Sequence, residues 1–103
     1  MREPTYFLLA ALLDGPQHGY AAAQRAVELS GGRVRLSAGT LYGALERLGR
    51  EGLVAEEREE LVRGRRRRYY RVTDDGAARL KQEAARMHHS AAVVRRALKA
   101  QPA

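Results

Sequence analysis

Between Asp74 and Lys99, the residues Ala77, Leu80, Ala84, Met87, Ala91, Val94 and Leu98 follow one another at spacings of 3, 4, 3, 4, 3 and 4. This heptad stripe keeps all of them on one face of an α-helix. Thr73 is placed to cap such a helix, Asp74 and Asp75 fall in its first turn, and Arg95, Arg96 and Lys99 fall in its last, as the helix dipole favours. A helix over residues 74–99 is about 39 Å long. The chain has 103 residues, the size of one domain, and that domain is too small to cover the whole stripe. A second copy of the chain is the expected cover, with Leu80, Ala84, Met87, Ala91, Val94 and Leu98 at the contact. The competing arrangement folds the helix back on its own core.

The other end of the chain makes a similar demand. Tyr6 to Leu13 is an unbroken apolar run; Pro4 suits a first helical turn and Asp14-Gly15-Pro16 a stop, so a helix over about residues 4–13 is expected. It is apolar nearly all round and needs cover on two sides, which places Phe7 at the expected contact between copies. At eight residues the run is far below the roughly 20 needed to span a membrane, and it lacks the basic flank and cleavage site of a signal peptide. There is no cysteine, hence no disulfide framework or thiolate chemistry. A cytoplasmic protein associated with the nucleoid is the expectation, with no membrane partner. Next, "HGYAAAQRAVELSGG" reads as a second helix ended by Gly31-Gly32, and "RVRLS" alternates as a short strand does.

Charge is concentrated in one place. Residues 63–71, "RGRRRRYYR", carry six arginines and no acid, against a net charge of +7 for the whole chain. Such a cluster repels itself, and a polyanionic partner is its usual explanation. Arginines outnumber lysines 17 to 2, while isoleucine and asparagine are absent; a general arginine bias is therefore the competing explanation. "LVAEEREEL" and "RRYYRVT" read as strands joined around Val62-Arg63-Gly64-Arg65, a β-hairpin with an arginine-rich tip. Glu56, Glu57, Glu59 and Glu60 face the second strand's arginines and compete for some of them. Arg63, Arg65 and Arg66, at the tip and its approach, are the better candidates for phosphate contact.

The stretch "LSAGTLYGALERLGREGLV", residues 36–54, places a third helix before the hairpin. Ser37 is a natural N-cap for a helix over about Ala38 to Arg50, and Leu41, Leu45 and Leu48 mark its buried face. The opposite side carries Gly39, Thr40, Gly43, Arg47 and Arg50, with Tyr42 and Glu46 at the flank. A glycine inside a helix costs about 1 kcal/mol relative to alanine. Gly39 and Gly43 are thus expected where something large approaches the backbone; packing of Gly43 against a neighbouring helix is the alternative. Three helices and a wing make a mainly α fold with a small β-wing, a winged helix-turn-helix, in which the third helix enters the major groove and the wing touches flanking backbone.

The combination of "HGY" at 18–20, "LSAGTLYGALERLGREGLV" at 36–54 and "GRRRRYYRVTDDGAARL" at 64–80 resembles the PadR family of bacterial transcriptional regulators. The resemblance covers nearly the whole chain. It implies a homodimeric winged-helix repressor with residues 1–73 binding DNA and residues 74–103 forming a dimerisation helix and tail, as in the family's short-tailed subfamily. Thr40 and Tyr42 match DNA-contacting positions, Leu41 a core position, Gly39 the glycine at the helix start, and Arg67 and Arg68 the basic wing. Ala38 stands where proline is common. Tyr69 and Tyr70 match the paired tyrosines of the second strand, one of them packed under the wing. Some members sense ligands, so a small-molecule effector at the dimer interface is an admissible partner, although no ligand-reading constellation stands out. Ala84 and Ala91 are read as allowing two helices to approach closely.

Catalysis finds no support in the residues. His88 and His89 are adjacent, not at the i, i+4 spacing that shares a metal, and neither a phosphate-binding glycine loop nor a nucleophile–base pair is present. No cofactor is expected. The partners expected are double-stranded DNA and a second copy, with an inverted-repeat operator. The alternatives are a winged-helix module binding RNA or DNA without sequence preference, and an adaptor using the heptad helix alone.

Overall fold

The computed structural model describes residues 1–102. In chain order it contains α1 (Glu3–Leu12), β1 (Gln17–His18), α2 (Gly19–Leu29), α3 (Ala38–Arg50), β2 (Val54–Val62), β3 (Arg65–Val72) and α4 (Asp74–Ala100). The expected helices are present, and their signals act as anticipated. Gly15 takes φ 125° where α1 stops, and Gly31 and Gly32 take φ 64° and 86° after α2, a left-handed exit that glycine makes without steric cost. The core joins Leu8, Leu9, Ala11 and Leu12 of α1 to Ala22 and Ala23 of α2, Leu41, Leu45 and Leu48 of α3, Leu53 and Val54 at the start of the wing, and Leu80 of α4.

The sheet has three strands rather than two, in the order β1-β3-β2, all antiparallel. Residues 33–37, expected to be a strand, form none. The edge of β3 is instead occupied by Gln17–His18, paired with Tyr70 and Tyr69. Val34 is buried and its amide donates to Ser30 Oγ at 2.9 Å, so this backbone group is satisfied without a ladder. On the other edge β2 runs the length of β3, with Glu57 as the extra residue of a bulge between Glu56 and Arg58. The hairpin turns at Arg63 and Gly64, both at positive φ, 50° and 77°. That pair is a type I′ turn, whose twist matches that of the strands.

The end of α3 and the start of α4 are fastened together. Thr73 Oγ1 donates to the Gly52 carbonyl at 2.6 Å and accepts from the Gly76 amide at 3.0 Å, while the Thr73 amide donates to the Leu53 carbonyl at 3.1 Å. Gly76 is buried here, and a Cβ on it would collide with the Leu53 carbonyl, so only glycine fits. The N-terminal amine of Met1, just before α1, lies 3.8 Å from Glu83, about two turns further along α4.

The heptad stripe divides at this point. Leu80, expected between copies, is only 6% exposed and belongs to the chain's own core, because α4 begins tightly packed on Leu53 and Val72. Past it the helix leaves the body: Met87 is 41%, Val94 57% and Leu98 61% exposed, and Ala84 and Ala91 are exposed too. The molecule measures 64 × 26 × 21 Å. Phe7 is half-buried beside Tyr6 and lines, with Met1, Glu3, Arg33 and Met87, a groove of 340 Å³ between α1 and α4.

Candidate nucleic-acid interface

Helix α3 is held by its leucine face and capped as its sequence suggests. Ser37 Oγ accepts from the Thr40 amide at 3.3 Å and donates to Thr40 Oγ1 at 3.0 Å. On the outward side, a methyl group built on Gly39 or Gly43 meets nothing within 4 Å. Gly43 therefore packs against no helix of its own chain, and both glycines leave bare backbone in open space. Tyr42, 50% exposed, stands on one flank. Its ring leans on Gly19, where a Cβ would come within 3.2 Å of both the ring and Leu45; the glycine of the "HGY" motif makes room for it.

Most of the polar side chains of α3 are already engaged. Arg50 pairs with Glu46 at 2.9 Å. Arg47 turns to the flank opposite Tyr42, where it donates to the buried Thr5 Oγ1 at 3.0 Å and lies 3.7 Å from Glu51. There it shares a shallow 570 Å³ cleft with Arg2 and Arg79.

The wing sorts its arginines in the opposite way. Arg68 pairs with Glu56 and Glu59 at 3.7 and 3.3 Å, and Arg71 with Glu57 at 3.9 Å, so these two are the cross-strand partners foreseen for the acids. Glu60 is taken by Arg58 of its own strand at 2.7 Å, which together with Tyr69 holds its carboxyl below the usual carboxylate range. Arg58 also lies 4.1 Å from the centre of the Tyr69 ring, a cation–π contact. Among the described residues, Arg63, Arg65, Arg66 and Arg67 make no ion pair, and all four are exposed. Both tyrosines are half-buried: Tyr70 against the core, Tyr69 between Arg58 and His18.

Where α3 and the wing meet, Tyr42, Arg66, Arg67, Arg68 and Tyr70 line a cleft of 350 Å³ together with His18, Gly19 and Tyr20. His18 is the residue that site reasoning from the sequence missed, although "HGY" carried part of the family resemblance. It pairs in β1, and its Nδ1 caps α2 by accepting from the Ala21 amide at 3.2 Å. Its ring stacks edge-on against Tyr69 at 5.7 Å, and its Nε2 lies 3.4 Å from Arg67 Nη1. Burial first, and the Arg67 charge second, hold the ring below the ordinary histidine pKa. Among the described residues no cluster of three or more potential metal ligands occurs, and no helix is long and apolar enough to cross a membrane.

The fold recurs in known proteins. A PadR family transcriptional regulator from Eggerthella lenta shares 30% identity, with 94% of this chain and 82% of that chain covered and a TM-score of 0.74. A PadR family transcription regulator from Clostridium difficile superposes with a TM-score of 0.76 at 23% identity, covering 94% and 99%. The Bacillus subtilis PadR structure, solved in complex with operator DNA, has a TM-score of 0.70 at 24% identity, covering 81% of this chain and 47% of that one. No curated protein sequence matches this one. The sequence profile of the transcriptional regulator PadR-like family matches residues 8–82; with most of its length inside that profile and its fold shared with solved members, the chain belongs to the PadR-like family of transcriptional regulators.

Proposed function

We propose that this regulator represses transcription by binding an inverted-repeat operator as a homodimer, with α3 in the major groove and the wing on flanking backbone. The observation that carries this reading is the cleft at which α3 and the wing meet. On one side of it Tyr42 stands on the glycine-bared α3, and on the other Arg66 and Arg67 present charge with no acid beside it. A base edge is read by groups that come close to it, and a phosphate by unpaired cations. Ser37, Gly39, Thr40, Tyr42 and Gly43 form the reading surface. Arg63, Arg65, Arg66 and Arg67 hold the backbone, and Arg68 does so only by giving up Glu56 and Glu59. Arg47 and Arg50 reach DNA only by exchanging Thr5 and Glu46 for it. The Bacillus subtilis PadR structure with operator DNA gives the same fold a duplex as its partner.

The dimer rests on the exposed part of the stripe, Ala84, Met87, Ala91, Val94 and Leu98, with Phe7 at the edge of the α1–α4 groove. Residues 1–73 then serve DNA and residues 74–103 serve the dimer, except that Leu80 serves the core. Two-fold symmetry sets half-sites about 34 Å apart. The test starts from genomic fragments selected on the protein. The recovered duplex is expected to bind far more tightly than a scrambled duplex or a structured RNA, and to be silenced in a reporter strain. Val94→Asp with Leu98→Asp, which spares Leu80, is expected to give a folded monomer by light scattering with weakened operator binding. Equal affinity for the three nucleic acids would replace this reading with a nonspecific or RNA-binding module.

A further inference from the structure

A neutral imidazole has one nitrogen that accepts and one that donates. In His18 the accepting nitrogen is committed: Nδ1 takes the Ala21 amide at the start of α2. Nε2 therefore carries the proton, and 3.4 Å from it stands Nη1 of Arg67, which can only donate. Two donors face one another with no acceptor between them, on the wall of the cleft that also holds Arg66 and Tyr42. The arrangement is held from several directions. β1 fixes the His18 backbone to Tyr69, the Tyr69 ring meets the imidazole edge-on, and Arg67 lies on β3 opposite Glu60, whose carboxylate Arg58 has taken. What fits between such donors is an oxygen able to accept from both.

We infer that His18 Nε2–H and Arg67 clamp one phosphate of the DNA backbone at the junction of β1, α3 and the wing. This deepens the reading above and rests on it, since it gives His18, until now only a helix cap, a direct contact with the duplex. The two donors are not equivalent. Arg67 brings a charge and releases a counterion when it engages a phosphate, whereas the neutral ring of His18 brings a directed hydrogen bond and releases none.

The test uses a substitution that separates capping from donation. Asparagine is among the best N-caps, so His18→Asn keeps the bond to the Ala21 amide while removing the Nε2–H donor; thermal melting checks that the fold is kept. On a random-sequence duplex, and equally on the selected operator, His18→Asn is expected to weaken binding roughly three- to tenfold with an unchanged salt slope. Arg67→Gln is expected to weaken it and to lower the slope by about one. Because both groups hold one phosphate, the double variant should lose less than the product of the two single losses. Wild-type affinity in His18→Asn, or losses that multiply independently, would overturn the clamp while leaving DNA binding intact. A wild-type protein that bound no duplex would overturn the clamp and the underlying reading together. Measurement in phosphate against chloride at equal ionic strength tests the site by competition: inorganic phosphate is expected to weaken duplex binding more in the wild type than in His18→Asn, and a loss of equal size in both would count against the clamp.

Discussion

Helix α3 and the wing border the same cleft, yet they manage their side chains in opposite ways. On α3, Arg47 is held by Thr5 and Glu51, Arg50 by Glu46 and Thr40 by Ser37, while Gly39 and Gly43 offer plain backbone. On the wing, the acids of β2 are used up by Arg58, Arg68 and Arg71, and the arginines nearest the tip are left without an acid. One surface offers shape, the other charge. Shape rewards a particular sequence of bases, and charge rewards any polyanion. A protein built this way can lose affinity and discrimination separately.

The largest effect expected from breaking this division lies in the wing. Arg65→Ala with Arg66→Ala should weaken operator and scrambled duplex alike, by about tenfold or more, and lower the log–log salt slope by roughly one unit for each lost phosphate contact. Titrations from low to moderate salt on both duplexes measure it, and a changed operator-to-scrambled ratio would mean that the wing also reads sequence. The effect on α3 is smaller and has two signs. Gly43→Ala meets open space in the free protein and gains up to about 1 kcal/mol of helix stability, a rise of about 4–8 °C in Tm. The same methyl should lower operator affinity and the ratio together. A variant that melts higher and binds as well as wild type would show that nothing approaches α3 closely at that point. The smallest effect sits at the wing tip, where Arg63 takes φ 50° in a turn that favours asparagine or glycine. Arg63→Asn should stabilise by about 1 kcal/mol or less and weaken both duplexes modestly, sharpening the view that the tip keeps its arginine for charge rather than for folding.

Much of this was legible in the residues. Ser37 and Thr73 before apolar periodicities, glycines after helices, and the leucine spacing of α3 act within one or two turns of chain, and there local chemistry decides the structure. Three features were not legible, and each depends on residues far apart in sequence. The strand expected at 33–37 lost its place to Gln17–His18 because only one edge of β3 was open, and two residues show no period. Leu80 reads like the rest of its stripe, and only the contact of Gly76 with Leu53 draws that turn of α4 into the core. Arg47 lies on the outward side of α3 by helical spacing, but its long side chain reaches Thr5, 42 residues away. The family motifs pointed to the cleft between α3 and the wing as the candidate interface, whereas the side-chain pairings determine which of its arginines are free of acids.

The junction at Thr73, Gly76 and Leu53 has a mechanical consequence. With the base of α4 fastened to the carbonyls that follow α3, the 27-residue helix is a lever about 40 Å long rooted on the residues just after that helix. In a dimer joined near the far ends of two such levers, a tilt of about 5° at the crossing displaces each root by roughly 3.5 Å. That is close to the rise of one base pair, so on the proposed inverted-repeat operator the crossing angle of the levers would set which half-site spacing the two copies can straddle.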